Sequence, residues 1–104
     1  MFTFIRKQTR PNADTSFFFE KYSYPVEYLN YINENYIKTG KMIEHKKSMS
    51  TDNMVAEFTT VWRSHTDFLS FATDDFVYDF ITMGIDYDLD NDIDTVITVE
   101  KENE

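Results

Sequence analysis

The chain of 104 residues contains no cysteine and only two glycines and two prolines. Without cysteine there is neither a disulfide framework nor thiolate chemistry. No apolar run approaches the ~20 residues that a membrane-spanning helix needs, and residues 1–10 hold no apolar segment long enough for a signal peptide. We therefore expect a cytoplasmic protein that has no membrane partner.

Basic charge is scarce in the C-terminal third. Residues 74–104 carry eleven acidic side chains and one basic side chain. Residues 1–73 carry eight acidic and nine basic side chains. The resulting field repels phosphate backbones and anionic lipids, so nucleic acid is not an expected partner. The same field would attract a basic protein surface.

Aromatic residues are abundant: ten Phe, seven Tyr and one Trp make up 17% of the chain. Disordered chains lack aromatic residues, and a chain of this length can bury one core. We expect a single domain over residues 1–104, with an acidic tail at residues 101–104.

The first third of the sequence predicts a strand and a helix. β-compatible residues fill positions 2–10, and Pro11 stops the strand because it has no N–H to donate. Apolar residues recur at helical spacing over residues 24–38, and Gly40 supplies a left-handed stop. The predicted buried face of this helix consists of Val26, Leu29, Ile32 and Tyr36.

Two extended runs follow, at residues 42–50 and 54–64, and flank a short polar connection, which is the pattern of a β-hairpin. Ser64 is then placed to cap a second helix. A further cap at Thr73 predicts a kink in this helix, and Gly84 is its predicted end. Its predicted buried residues are Phe68, Leu69, Phe71 and Ala72, with Phe76, Val77, Phe80 and Ile81 after the kink.

Residues 94–101 complete the series as a fourth strand. The predicted fold is α+β, a ferredoxin-like βαββαβ arrangement with a four-stranded antiparallel sheet. The run 54–64 is apolar on both of its faces, with Phe58 and Trp62 on one and Val55 and Val61 on the other. Helices cover one face of so small a sheet, so we expect a homodimer in which a second copy covers the other.

One segment resembles a known family. It comprises Thr60-Val61-Trp62-Arg63-Ser64, Phe68, Phe71, Asp74-Asp75, Phe76 and Phe80. The same order of features is seen in the dimeric α/β-barrel superfamily, in particular its antibiotic-biosynthesis-monooxygenase-like domains. The resemblance implies two four-stranded sheets that face each other in a homodimer. Members include cofactor-free oxygenases, haem-degrading enzymes and proteins without known activity, so the function must be argued from the site.

Haem degradation is not expected. The haem-degrading members have an Asn on the first strand, a Trp in the second helix and a His further along it. Here the first strand has no Asn, and the two helix positions hold Phe71 and Ile81. We expect no cofactor, and any enzymatic activity would be of the cofactor-free monooxygenase type.

The resemblance implies that a small hydrophobic molecule is bound, and perhaps oxidised, between sheet and helices. No catalytic residue can be assigned from the sequence. His45 is either a base in the pocket or an ordinary edge-strand residue, and Trp62 is either a packing residue or a ligand contact. The candidate pocket residues are Tyr36, His45, Phe58, Trp62 and Phe71.

Alternate aspartates over residues 86–94 invite a calcium hypothesis. The EF-hand pattern needs Gly at its sixth position and Glu at its twelfth, and counting from Asp86 these are Asn91 and Ile97. We expect no metal site, and interpret the segment as a solvated connection into the fourth strand. The alternative function is that of a non-enzymatic, phage-encoded interaction protein that uses its acidic C-terminal third.

Overall fold

The structure, a computed structural model, describes residues 1–101 and has the predicted ferredoxin-like α+β fold. In the described part of the chain, no helix is both long enough and apolar enough to span a membrane. The elements are β1 (Phe2–Thr9), α1 (Phe18–Lys21), α2 (Val26–Ile32), a π-helical turn (Asn33–Ile37), β2 (Met42–Met49), β3 (Val55–Trp62), α3 (His65–Ala72), α4 (Asp75–Asp90) and β4 (Asp94–Lys101).

The four strands form one antiparallel sheet in the order β2-β3-β1-β4, with β1 and β3 at its centre. Phe2 pairs with Trp62 and Gln8 pairs with Ala56, so these residues point to the same side of the sheet. The helices cover this side. The other side, which includes Ile5 and Val61, carries no helix and is called the open face below.

The core on the helical side is divided into two clusters at opposite ends of the sheet. The first cluster is centred on Trp62 and the second on Phe17, and both side chains are fully buried. Phe17 is held by Arg10, whose guanidinium lies 4.8 Å from the Phe17 ring centre and donates to the Thr15 carbonyl. Neither cluster extends over the middle of the sheet, which lies between them.

The predicted buried face of the first helix is confirmed at Ile32 and Tyr36 and wrong at Val26 and Leu29. Val26 and Leu29 are 70% and 52% exposed, whereas Tyr28 and Tyr31 pack against the first core cluster. Aromatic rings bury more apolar area than Val or Leu, so the helix turns its tyrosines inward. The helix is also not continuous: it changes into a π-helical turn at Asn33, which places Tyr36 in the core.

The second helical segment also departs from the prediction, because Gly84 does not end it. Helix α4 continues to Asp90, and most of the acidic segment, residues 86–90, is helical rather than a connection. Val77, Gly84 and Asp88 share the inward face at helical spacing, and this stripe extends the helix past the glycine. Of the predicted buried residues, Leu69 of α3 and Phe76 of α4 are instead exposed.

The break between α3 and α4 is confirmed, with a different capping residue. Ser64 caps α3 as predicted, but the cap of α4 is Asp74 rather than Thr73. Asp74 also accepts hydrogen bonds from the Tyr31 and Tyr36 hydroxyls, at 2.6 and 2.5 Å. The Asp74 carboxylate therefore links the junction between α3 and α4 to α2 and the π-helical turn.

Candidate functional site

A cavity of about 700 Å³ lies between the sheet and the helices, in the gap between the two core clusters. Its volume is within the range of small-molecule sites in proteins. The floor is formed by the central strands, and α3 and α4 form one wall while α1 and α2 form another. Most of the lining is aromatic or aliphatic, including Phe4, Phe58, Phe68, Phe71, Tyr28 and Ile81.

One end of the cavity is polar. Gln8 from β1 and Asp88 from α4 are both buried, and the Gln8 amide donates to Asp88 Oδ2 at 2.6 Å. Arg6, two residues before Gln8 on the same face of β1, also lines the cavity, and its guanidinium lies 4.6 Å from the Phe58 ring centre. The Arg6 guanidinium, the Asp88 carboxyl and the Gln8 amide therefore lie at one end of an otherwise apolar cavity.

Burial raises the pKa of the Asp88 carboxyl, because its charged form is desolvated. The nearby Arg6 guanidinium, the Thr95 hydroxyl and the hydrogen bond from Gln8 oppose this rise without cancelling it. Asp88 is thus a carboxyl group kept out of water by the fold, which is common at functional sites.

Tyr28 supplies the polar group on the opposite wall. Burial, followed by the nearby Tyr24 hydroxyl, raises the pKa of Tyr28 to about 12. Its phenol therefore stays neutral at physiological pH and is able to donate a hydrogen bond. The Tyr28 ring lies 5.4 Å from Tyr24 and 4.3 Å from Phe80, between ring centres, which fixes its position.

Exposed apolar side chains mark the opening of the cavity. Leu89 and Ile85 lie one turn apart on α4 and are 71% and 53% exposed, and both line the cavity together with the equally exposed Ile97 of β4. An apolar rim that continues into an apolar cavity is typical of a binding site for a small molecule.

The five candidate pocket residues occupy three different environments. Phe58 and Phe71 line the cavity. Tyr36 and Trp62 are buried in the first core cluster beside it, where the Trp62 ring contacts Tyr36, Phe68 and Phe71. His45 is exposed on the edge strand β2, opposite Thr60 in the register. The space next to Trp62 is therefore filled by aromatic rings, and the open space is farther along the sheet.

The polar end of the cavity was missed as a site in the sequence. Asp88 was assigned to the acidic segment because helix α4 was predicted to end at Gly84. A helix continued through Gly84 places Asp88 eleven residues after the buried Val77, on the same face. That spacing was the available signal for a buried carboxylate.

Within residues 1–101, no group of three or more His, Asp or Glu side chains is arranged to hold a metal ion. The arrangement is instead suited to holding an apolar molecule and to hydrogen-bonding with it at Asp88, Arg6 and Tyr28.

No family model matches the sequence, and no curated protein matches it. The structure is similar to the crystal structure of a protein from Deinococcus radiodurans that carries a provisional assignment as an antibiotic biosynthesis monooxygenase. The match has a TM-score of 0.58 at 12% sequence identity and covers 100% of this chain and 94% of the other. The resemblance seen in residues 60–80 is confirmed at the level of the fold: the chain has the fold of an antibiotic-biosynthesis-monooxygenase-like domain.

Proposed function

We propose that the protein binds a small, mainly hydrophobic molecule in the cavity between sheet and helices. The observation that carries this proposal is the division of the core into two clusters with a cavity of about 700 Å³ between them. The cavity opens to solvent at its apolar rim, and an aromatic lining left in contact with water costs free energy. A bound molecule would recover much of that cost by burying the aromatic lining.

The structural relative supports the same class of function. Its provisional assignment as a biosynthetic monooxygenase implies a small-molecule substrate, and it shares the architecture that creates the cavity. Folds host many activities, so the proposal for this chain rests on its own cavity and lining.

We also propose that the protein acts as a homodimer through the open face of its sheet. Ile5, Val55 and Val61 are half-buried on that face, and no helix of the described chain covers them. Lys7 and Lys46 share the face with Glu44 and Glu57, so two copies related by a two-fold axis offer each other both charge signs.

Gly84 offers a direct test of the cavity. It lies within helix α4 and lines the cavity, and a Cβ atom built at this position meets no other atom within 4 Å. Gly84→Leu should therefore extend its side chain from open space into the cavity and occupy part of it. Leucine also favours a helix over glycine by roughly 0.5–1 kcal/mol, so the variant should be at least as stable as the wild type.

The measurement is a fluorescence titration with methylnaphthalene, combined with thermal unfolding of each variant. We expect Gly84→Leu to weaken binding about tenfold or more while its melting temperature stays equal or rises. Gly84→Ala is the matched control, since it gains helix propensity but occupies far less of the cavity. If wild type and Gly84→Leu bind the probe equally well, the cavity is not the binding site.

A further inference from the structure

The polar end of the cavity contains buried atoms without partners. Asp88 Oδ1 and Arg6 Nε each make no hydrogen bond to any described residue, although both are buried. Asp88 is only 8% exposed, and its other oxygen is already bound by Gln8. A buried polar atom left unpaired is unfavourable, so these two are sites where a ligand gains affinity.

The unpaired atoms have opposite hydrogen-bonding roles. A carboxylate oxygen accepts, and the guanidinium N–H donates. Asp88 and Arg6 both line the cavity, and the last torsion of Asp88 is soft, so a small rotation can present Oδ1 to a ligand. A hydroxyl group matches the pair because it donates to Asp88 and accepts from Arg6.

Charge favours a neutral ligand over an ionic one. An anion would gain from Arg6 but meet Asp88 and the acidic field of residues 74–104. A cation would gain from Asp88 but meet Arg6, which already offsets the Asp88 charge. In both cases the ion would also lose its hydration in a space lined mainly by aromatic rings.

We propose that the cavity takes a neutral, largely apolar molecule with a hydroxyl group, and that Asp88 and Arg6 bind this hydroxyl. The inference rests on the proposed binding function and adds to it the chemical group that is recognised. Gln8 already bonds to Oδ2, so Oδ1 is the Asp88 oxygen that is left for the ligand.

The test compares four probes that share one ring system: methylnaphthalene, naphthylmethanol, naphthoate and naphthylmethylamine. Isothermal titration against the wild-type protein should show naphthylmethanol binding about tenfold more tightly than methylnaphthalene, the gain expected for one hydrogen bond to a charged group. Naphthoate and naphthylmethylamine should bind more weakly than the alcohol.

Asp88→Asn separates the hydrogen bond from the apolar contacts. The Asn carbonyl still accepts from Gln8, so the amide NH₂ replaces Oδ1 and the acceptor becomes a donor. The hydroxyl can then accept but no longer donate at this position, so the preference for the alcohol should fall severalfold, while methylnaphthalene binds as before. Asp86→Asn is the control, because it removes the same charge at an exposed position of the same helix. This variant should keep the preference for the alcohol.

The outcomes distinguish the two proposals. If methylnaphthalene binds but the alcohol has no advantage, or if an ionic probe binds most tightly, the hydroxyl inference is wrong and the binding function stands. If no probe binds, the proposed function itself fails. The wild-type series needs no variant, so a folding defect in Asp88→Asn would not prevent the decision.

Discussion

At the scale of single residues, Trp62 shows how a large side chain is used for packing. It is fully buried, and its indole N–H donates to the Thr60 hydroxyl at 2.9 Å, so no polar atom is left unpaired. Tyr36, Phe68 and Phe71 surround the ring with centroid distances of 5.0–6.0 Å. Trp62 closes one end of the sheet, and the cavity begins beyond it.

Truncation of Trp62 should therefore act on stability first. We expect Trp62→Ala to lower the free energy of unfolding by about 3–5 kcal/mol, a large share of the total for a domain of this size. Urea denaturation followed by circular dichroism measures the change. Trp62→Phe is the control, because it keeps most of the apolar volume and should cost much less. A Trp62→Ala protein that unfolds like the wild type but no longer binds methylnaphthalene would make Trp62 a ligand contact instead.

At the scale of elements, the sequence predicted the strands better than the helices. Each strand is flanked by a clear stop, such as Pro11 or the turn at Asn53, which adopts a positive φ of 62°. Helix faces were harder to predict, because α2 offers two apolar stripes and the choice between Leu29 and Tyr28 is made by packing against α4. The polar end of the cavity could not be predicted, since it requires β1 and α4 to be placed together.

The junction between α3 and α4 is the element-scale feature with the clearest energetic role. Burial alone would raise the pKa of Asp74, but the hydrogen bonds from Tyr31, Tyr36 and backbone N–H groups lower it overall. The carboxylate contribution is therefore present above about pH 4, the ordinary range of an aspartate, and is lost as the pH falls through the lower folded value.

Asp74→Ala should remove this contribution. We expect a loss of about 2 kcal/mol at neutral pH, since both a helix cap and two tyrosine partners disappear. The difference from wild type should shrink in strong acid, where Asp74 is protonated in both the folded and the unfolded state. Thermal unfolding across pH measures it. Asp75→Ala, one residue later and exposed, should cost less than about 1 kcal/mol; equal losses in the two variants would contradict the assigned role.

At the scale of the whole molecule, the two sides of the sheet differ in how far their side chains are buried. The helical side holds both core clusters and the cavity, while the open face has side chains that are only half-buried, among them Ile5 and Val61. The exposed aspartates of α4 and the residues that follow it account for most of the net charge of −9. A second copy that docks on the open face would leave the exposed aspartates of α4 and the cavity rim accessible.

The dimer is tested by its mass. Light scattering at micromolar concentration should give twice 12.4 kDa for the wild type, because pairing two open faces takes Ile5, Val55 and Val61 out of water. Ile5→Lys places a charge at the centre of this face, on β1, and should shift the mass toward 12.4 kDa while circular dichroism keeps its folded form. Val26→Lys is the control, because Val26 is 70% exposed on α2, on the helical side of the sheet, and its charge should leave the dimer intact. A folded wild-type protein that stays at 12.4 kDa would refute the dimer, and the open face would then be the surface of a monomer.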